Sequence, residues 1–113
     1  MASDKNTVSG NTAMLLLQLL SEKDMYGYEM IETLRSRSNQ VFELKAGTLY
    51  PLLHILESEG SLTVYEQEFQ GKLRKYYQIT RRGRERLEEK KKEWNDYRNA
   101  VTQVIGGVSC GMG

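Results

Sequence analysis

Residues 45–80 read KAGTLYPLLHILESEGSLTVYEQEFQGKLRKYYQIT, and the period of the apolar residues changes halfway along this stretch. In the first half Leu49, Leu52, Leu53 and Leu56 recur at three- and four-residue spacing, which predicts a helix from about Ala46 to Glu59 with those leucines facing inward. Gly60 follows, free to take the positive φ that ends a helix. Pro51 fits if it lies near enough to the helix start that an N–H there would lack an intrahelical partner anyway. In the second half Leu62, Val64 and Tyr65 lie in one β-rich run and Leu73 to Ile79 in another, with Phe69-Gln70-Gly71 as the turn of a hairpin.

Upstream, Tyr26, Met30, Ile31 and Leu34 recur at helical spacing through about Ser38, after a polar break at 21–24. Gly10 to Leu20 is so densely apolar that a short helix buried on most faces is expected, with Gln18 the exception. Residues 1–9 are polar and aperiodic and read as a flexible N-terminal arm. Ser36 to Gln40 reads as a polar link, and Val41 to Leu44 as a brief strand. Downstream, Thr80 is placed to cap a last helix over 81–105, and the glycines of residues 106–113 make a flexible tail. Three helices followed by a hairpin is the layout of a winged helix-turn-helix. The expected fold is therefore mainly α with a β-hairpin: a winged-helix domain over 10–80, plus a long C-terminal dimerisation helix.

At 113 residues, 39% hydrophobic and 27% charged, the chain has the size and balance of one globular domain. No apolar run approaches the roughly 18 residues of a membrane span, and the first residues lack a secretory pattern, so a cytoplasmic protein without membrane contact is expected. One cysteine, Cys110, and one histidine, His54, supply neither a disulfide nor a zinc ligand set. Nucleophile-elbow, P-loop and dinucleotide motifs are also missing, which argues against an enzyme and against a bound cofactor or metal.

The net charge of +1 is a cancellation. Residues 1–71 hold five basic groups against ten acidic ones, and residues 72–98 hold eleven against five. Such asymmetry suggests a surface built to meet a polyanion, although a solvated charged helix explains much of 81–98. In a winged helix the third helix enters the major groove, where Lys45, Thr48, Tyr50 and His54 offer donors to phosphates or base edges. Lys72, Arg74 and Lys75 follow the wing turn with no obvious internal partner, and suit phosphates at the groove margin. Tyr26 and Tyr28 open the second helix, where a phenol can donate to phosphate. Plainer readings stay open: Tyr26 and Tyr50 as core residues with surface hydroxyls, and His54 as an exposed supporting residue. A winged-helix protein-interaction module without direct DNA binding is the functional alternative.

On the last helix Leu87, Trp94, Val101 and Val108 are spaced by seven, Tyr97 and Val104 fall at the complementary position, and Lys90 interrupts the seam. So long a helix cannot bury this seam on the preceding domain, which points to a homodimer; the alternative is that it folds back on its own domain. A two-fold dimer would bind a pseudo-palindromic operator in double-stranded DNA, with half-sites about 34 Å apart.

Tyr26-Gly27-Tyr28-Glu29, Gly47-Thr48-Leu49-Tyr50-Pro51-Leu52-Leu53, Leu56-Glu57, Gly60, and Arg74-Lys75-Tyr76-Tyr77-Gln78-Ile79-Thr80 with Gly83 together resemble the PadR family of bacterial transcriptional regulators. The single long terminal helix resembles its short-chain subgroup, and the likeness covers about residues 10–105. The resemblance implies a dimeric repressor, and it carries Tyr28, Lys45, Thr48, Tyr50, Lys72, Arg74 and Lys75 onto the family's DNA-facing surface. It also implies a pocket for a small aromatic or hydrophobic effector at the dimer centre, with Trp94 as platform and Met14 and Gln18 opposite. Arg98, one turn after Trp94, departs from what a sensor of cationic compounds would use. Plain interface packing is the other reading of Trp94.

Overall fold

The computed structural model describes residues 2–106, with side chains from Asn11 onward. In chain order it contains α1 (Ala2–Glu22), β1 (Met25–Tyr26), α2 (Gly27–Arg37), α3 (Ala46–Ser58), β2 (Leu62–Phe69), β3 (Lys72–Ile79) and α4 (Arg81–Ile105). The strands form one antiparallel sheet in the order β1-β3-β2. Helices carrying a small sheet at one end give the expected winged helix with its long terminal helix.

The core forms where the apolar periods meet. Leu16, Leu17 and Leu20 of α1, Met30 and Leu34 of α2, and Leu49, Leu53 and Leu56 of α3 are buried together with Leu62, Tyr77 and Ile79 of the sheet. Each such leucine contributes about 1.5–3 kcal/mol by leaving water, so the leucine periods of α1 and α3 dominate the assembly. Thr80 then fixes the direction of α4. Its hydroxyl donates to the Gly60 carbonyl at 2.6 Å and accepts the Gly83 N–H at 3.0 Å, tying the end of α3 to the start of α4. Gly60 is left-handed at φ +82°, and Gly83 packs so closely on the Ser61 carbonyl that a Cβ there would overlap it.

Several boundaries differ from the sequence reading. α1 begins at Ala2 instead of Gly10, because extending an established helix adds a hydrogen bond per residue even where no apolar period marks it. Tyr26 is not in α2: it pairs with Tyr76 in the two-residue strand β1, and it caps α2 in an extended conformation. Residues 41–44 form no strand, since no sheet edge lies alongside to pair with them. Pro51 is the sixth residue of α3, beyond the free first turn, so the carbonyl of exposed Gly47 lacks the N–H four residues on that a helix would supply. The glycine-rich stretch beyond Gly106, with Val108 and Cys110, lies outside the described residues. No helix among the described residues is long and apolar enough to cross a membrane.

One tie sets α2 against α1, and a second holds the link between α1 and β1 to the sheet. Arg37 pairs with Glu22, and this pairing, helped by the Gln18 amide, pulls the Glu22 carboxyl down to about 2. Asp24 accepts the Tyr65 hydroxyl at 2.7 Å, which pushes that phenol up to about 12.

Candidate nucleic-acid interface

The first turns of α2 and α3 lie side by side. Gly27 makes this possible: a Cβ there would overlap the Tyr50 hydroxyl and ring, so the missing side chain seats Tyr50 of α3 on the start of α2. Neither helix has a side-chain hydrogen bond at its cap residue, Tyr26 or Lys45, which leaves first-turn amides to the positive ends of two helix dipoles. Lys45, Thr48 and Tyr50 are exposed along α3, with His54 a turn further on, and Tyr28 is exposed on α2.

The wing is a regular ladder, Leu62↔Ile79 to Phe69↔Lys72, closed by Gln70 and Gly71 at φ +54° and +78°. Both central residues are left-handed, as a type I′ turn requires. Strand alternation then divides the three wing cations expected to act together, with Lys72 and Arg74 on one face and Lys75 on the other. Arg74 lies on the face of Tyr76 and, across the ladder, of Tyr65 and Phe69. Lys75 lies on the opposite face, across from Glu66. The Arg74 guanidinium sits 4.4 Å from the centre of the Tyr26 ring and 5.9 Å from that of Phe69, so it has the internal partner that the sequence reading denied it.

A cleft of about 250 Å³ lined by Tyr26, Gly27, Tyr28, Tyr50, Arg74 and Lys75 joins α2, α3 and the wing. Lys45 and Thr48 line a separate groove, with Thr12, Leu15, Leu34 and residues 41–44. Lys72 and His54 line neither. Gly27 and Phe69 were not picked out as functional residues; the aromatics flanking Gly27 were a usable signal for it, and the position of Phe69 beside the turn was one for Phe69.

Ion pairing sorts the positive charge. On α4, Arg81 pairs with Glu85, Lys91 with Glu88, Lys92 with Asp96, and Arg86 with Glu59 of the α3 cap. Among the described residues Lys45, Lys72, Arg74 and Lys75 have no carboxylate within ion-pair distance, and neither do Arg82, Arg84, Lys90 and Arg98. The solvated-helix reading therefore accounts for four of the eight α4 cations, while all four cations of the α3 start and wing stay without acidic partners among the described residues.

α4 carries a second set of features. Its first turns pack antiparallel on α1, where Arg84 donates to the Ser21 carbonyl at 3.4 Å. Leu87 is buried there at 3% exposure and belongs to the core, not to a seam facing outward. Farther along, Trp94, Tyr97, Val101, Val104 and Ile105 are all exposed. Met14, Leu15 and Gln18 of α1 meet Glu88, Lys91, Trp94 and Asn95 of α4 across a groove of about 610 Å³. Arg98, expected beside them, does not line it: the groove closes at Asp96, one half-turn before. The Gln18 amide donates to Glu22, and its carbonyl oxygen is buried with no partner.

Residues 16–89 match the pattern described as the transcriptional regulator PadR-like family. The chain is 33% identical over 102 residues to an uncharacterised protein of Lysinibacillus sphaericus, covering 89% of this chain and 94% of that one. It is 29% identical over 94 residues to transcriptional regulator Rv3488 of Mycobacterium tuberculosis, covering 83% and 82%. Of solved structures, a transcriptional regulator from Clostridium thermocellum superposes with a TM-score of 0.80 at 31% identity, over 87% of this chain and 96% of that one. A PadR family transcription regulator from Clostridium difficile gives 0.71 at 35% identity, over 82% and 96%.

Proposed function

The chain belongs to the PadR-like family of transcriptional regulators, and from that premise we propose that it is a homodimeric repressor that binds double-stranded DNA through α3, the start of α2 and the wing. The observation that carries this reading is that Lys45 at the α3 start and Lys72 and Lys75 on the wing have no acidic partner among the described residues, on the elements that also expose Thr48, Tyr50 and, on α2, Tyr28. Phosphates would take the lysines, the phenols and the first-turn amides, and the exposed side of α3 would meet base edges. His54 extends that side by one turn.

Dimerisation is supported by Trp94, Tyr97, Val101 and Val104, an exposed stripe at coiled-coil spacing. Two copies joined along it bind a pseudo-palindromic operator. The α1–α4 groove is the place for a flat hydrophobic or aromatic effector that releases the DNA. Its volume is that of a small-molecule site, Trp94 offers a stacking face, and Met14, Leu15 and Gln18 of α1 form the opposite wall. Arg98 is outside this groove and has no part in it.

Titration of duplex DNA tests the central reading: affinity falls steeply with added salt if lysines displace counterions. A salt-insensitive or absent interaction would favour the winged-helix protein-interaction module instead. For the effector, planar aromatic compounds are expected to quench the fluorescence of Trp94, the chain's single tryptophan. A broad panel without quenching would leave Trp94 as interface packing alone.

A further inference from the structure

The wing outreaches the strand that supports it. β1 pairs with β3 only at Tyr76 and Tyr77, so residues 66–75 project as a two-stranded ribbon. An isolated ribbon of this size is marginal in water. Nine of those ten residues are exposed, and only Arg74 is half-buried. Its guanidinium is stacked on the ring of Tyr26, the residue that caps α2, and is edged by Phe69 beside the turn. The Tyr26 and Phe69 rings are themselves 6.0 Å apart, and Tyr26 meets Tyr76 edge-on at 5.5 Å. The Arg74 Nε is buried with no hydrogen-bond partner, so one of its five donors is already withdrawn from solvent in the free protein. A cation displayed for phosphate alone would show none of this; a planar cation held between aromatic rings shows all of it.

We propose that Arg74 is a positioning residue: stacked on Tyr26 and Phe69, it clamps the projecting half of the wing to the start of α2 and leaves the wing's phosphate contacts to Lys72 and Lys75. The inference rests on the DNA-binding reading for its consequence, but the clamp itself exists without DNA. Removing it frees the ribbon to swing, so the wing lysines are no longer held beside α3 and affinity falls although their charge is intact.

The test uses the full chain with Arg74→Gln, Tyr26→Leu and Phe69→Leu. Amide hydrogen exchange of residues 66–75 is measured in the free protein, with core amides as the control for folding. Each variant is expected to speed exchange in the wing by about tenfold, the scale of one partly desolvated cation–ring contact, with core amides unchanged. Affinity for a mixed-sequence duplex is then followed against salt. The expected lines are displaced to weaker binding and parallel to the parent's, because the number of phosphates neutralised is the same. Unchanged wing exchange overturns the proposal. So does a salt slope shallower by about one unit in Arg74→Gln, which would make Arg74 a phosphate contact. If the parent binds no duplex, the DNA-binding reading fails and the exchange measurement still decides the clamp. If one variant fails to fold, the other two carry the same comparison.

Discussion

Gly27 opens α2 directly beneath the Tyr50 ring, and its missing side chain leaves the room that the ring occupies. In a helix, alanine is ordinarily favoured over glycine by about 0.5–1 kcal/mol, so a gain is the expectation wherever nothing is overlapped. At this position the added methyl must push aside the far end of exposed Tyr50, and Gly27→Ala is expected to lose that gain and cost at most about 1 kcal/mol, the low end of overpacking. In a Tyr50→Ala background the same change should become neutral or stabilising, which denaturant midpoints of the four-member cycle will report. A cost that persists without Tyr50 would place the overlap elsewhere. Single residues were also where the sequence was least legible. Arg74 and Lys75 are adjacent basic residues, and only the ladder register shows that one turns to Tyr26 and the other to the face of Glu66. Lysine or arginine in a wing looks the same in either orientation until the strand's parity is known.

Among the elements, the helices and the hairpin were legible because their periods are local. The leucine spacing of α3 and the Gln70-Gly71 turn each declare a geometry within a few residues. β1 was not legible, since two residues become a strand only by pairing with Tyr76 and Tyr77, fifty positions away. The apolar run at 41–44 was misread for the converse reason: it has strand-like residues and no edge to pair with. The turn yields its own prediction. Gln70 holds φ +54°, a conformation that asparagine tolerates better. Gln70→Asn should therefore stabilise the hairpin by about 0.5 kcal/mol, raising Tm by about 2–4 °C. Gly71→Ala, at φ +78°, should lower stability by about 1 kcal/mol or more. Thermal unfolding followed by circular dichroism checks both, and a Gln70→Asn variant that melts earlier would argue against the type I′ turn.

For the molecule as a whole, the principal extents of 57 × 28 × 27 Å reflect an arm. α4 is about 37 Å long at 1.5 Å per residue, and its distal apolar residues Trp94, Tyr97, Val101 and Val104 are exposed. Trp94→Glu combined with Val101→Glu should leave a folded monomer by sedimentation while the parent sediments as a dimer; a variant as dimeric as the parent would rule out this stripe as the interface. The charge pattern bears on the central claim. Near-neutrality in the sequence resolves into α4 cations of which half, Arg81, Arg86, Lys91 and Lys92, are paired with carboxylates, and α3 and wing cations that have no such partner among the described residues. The most direct measurement is therefore the dependence of duplex affinity on salt in two sets of variants. Lys45→Ala, Lys72→Ala and Lys75→Ala should each weaken binding and flatten the slope of log affinity against log salt by about one unit, whereas Arg81→Ala and Lys92→Ala should leave the slope as in the parent. Equal flattening by both sets, or by neither, would contradict a DNA interface at α3 and the wing.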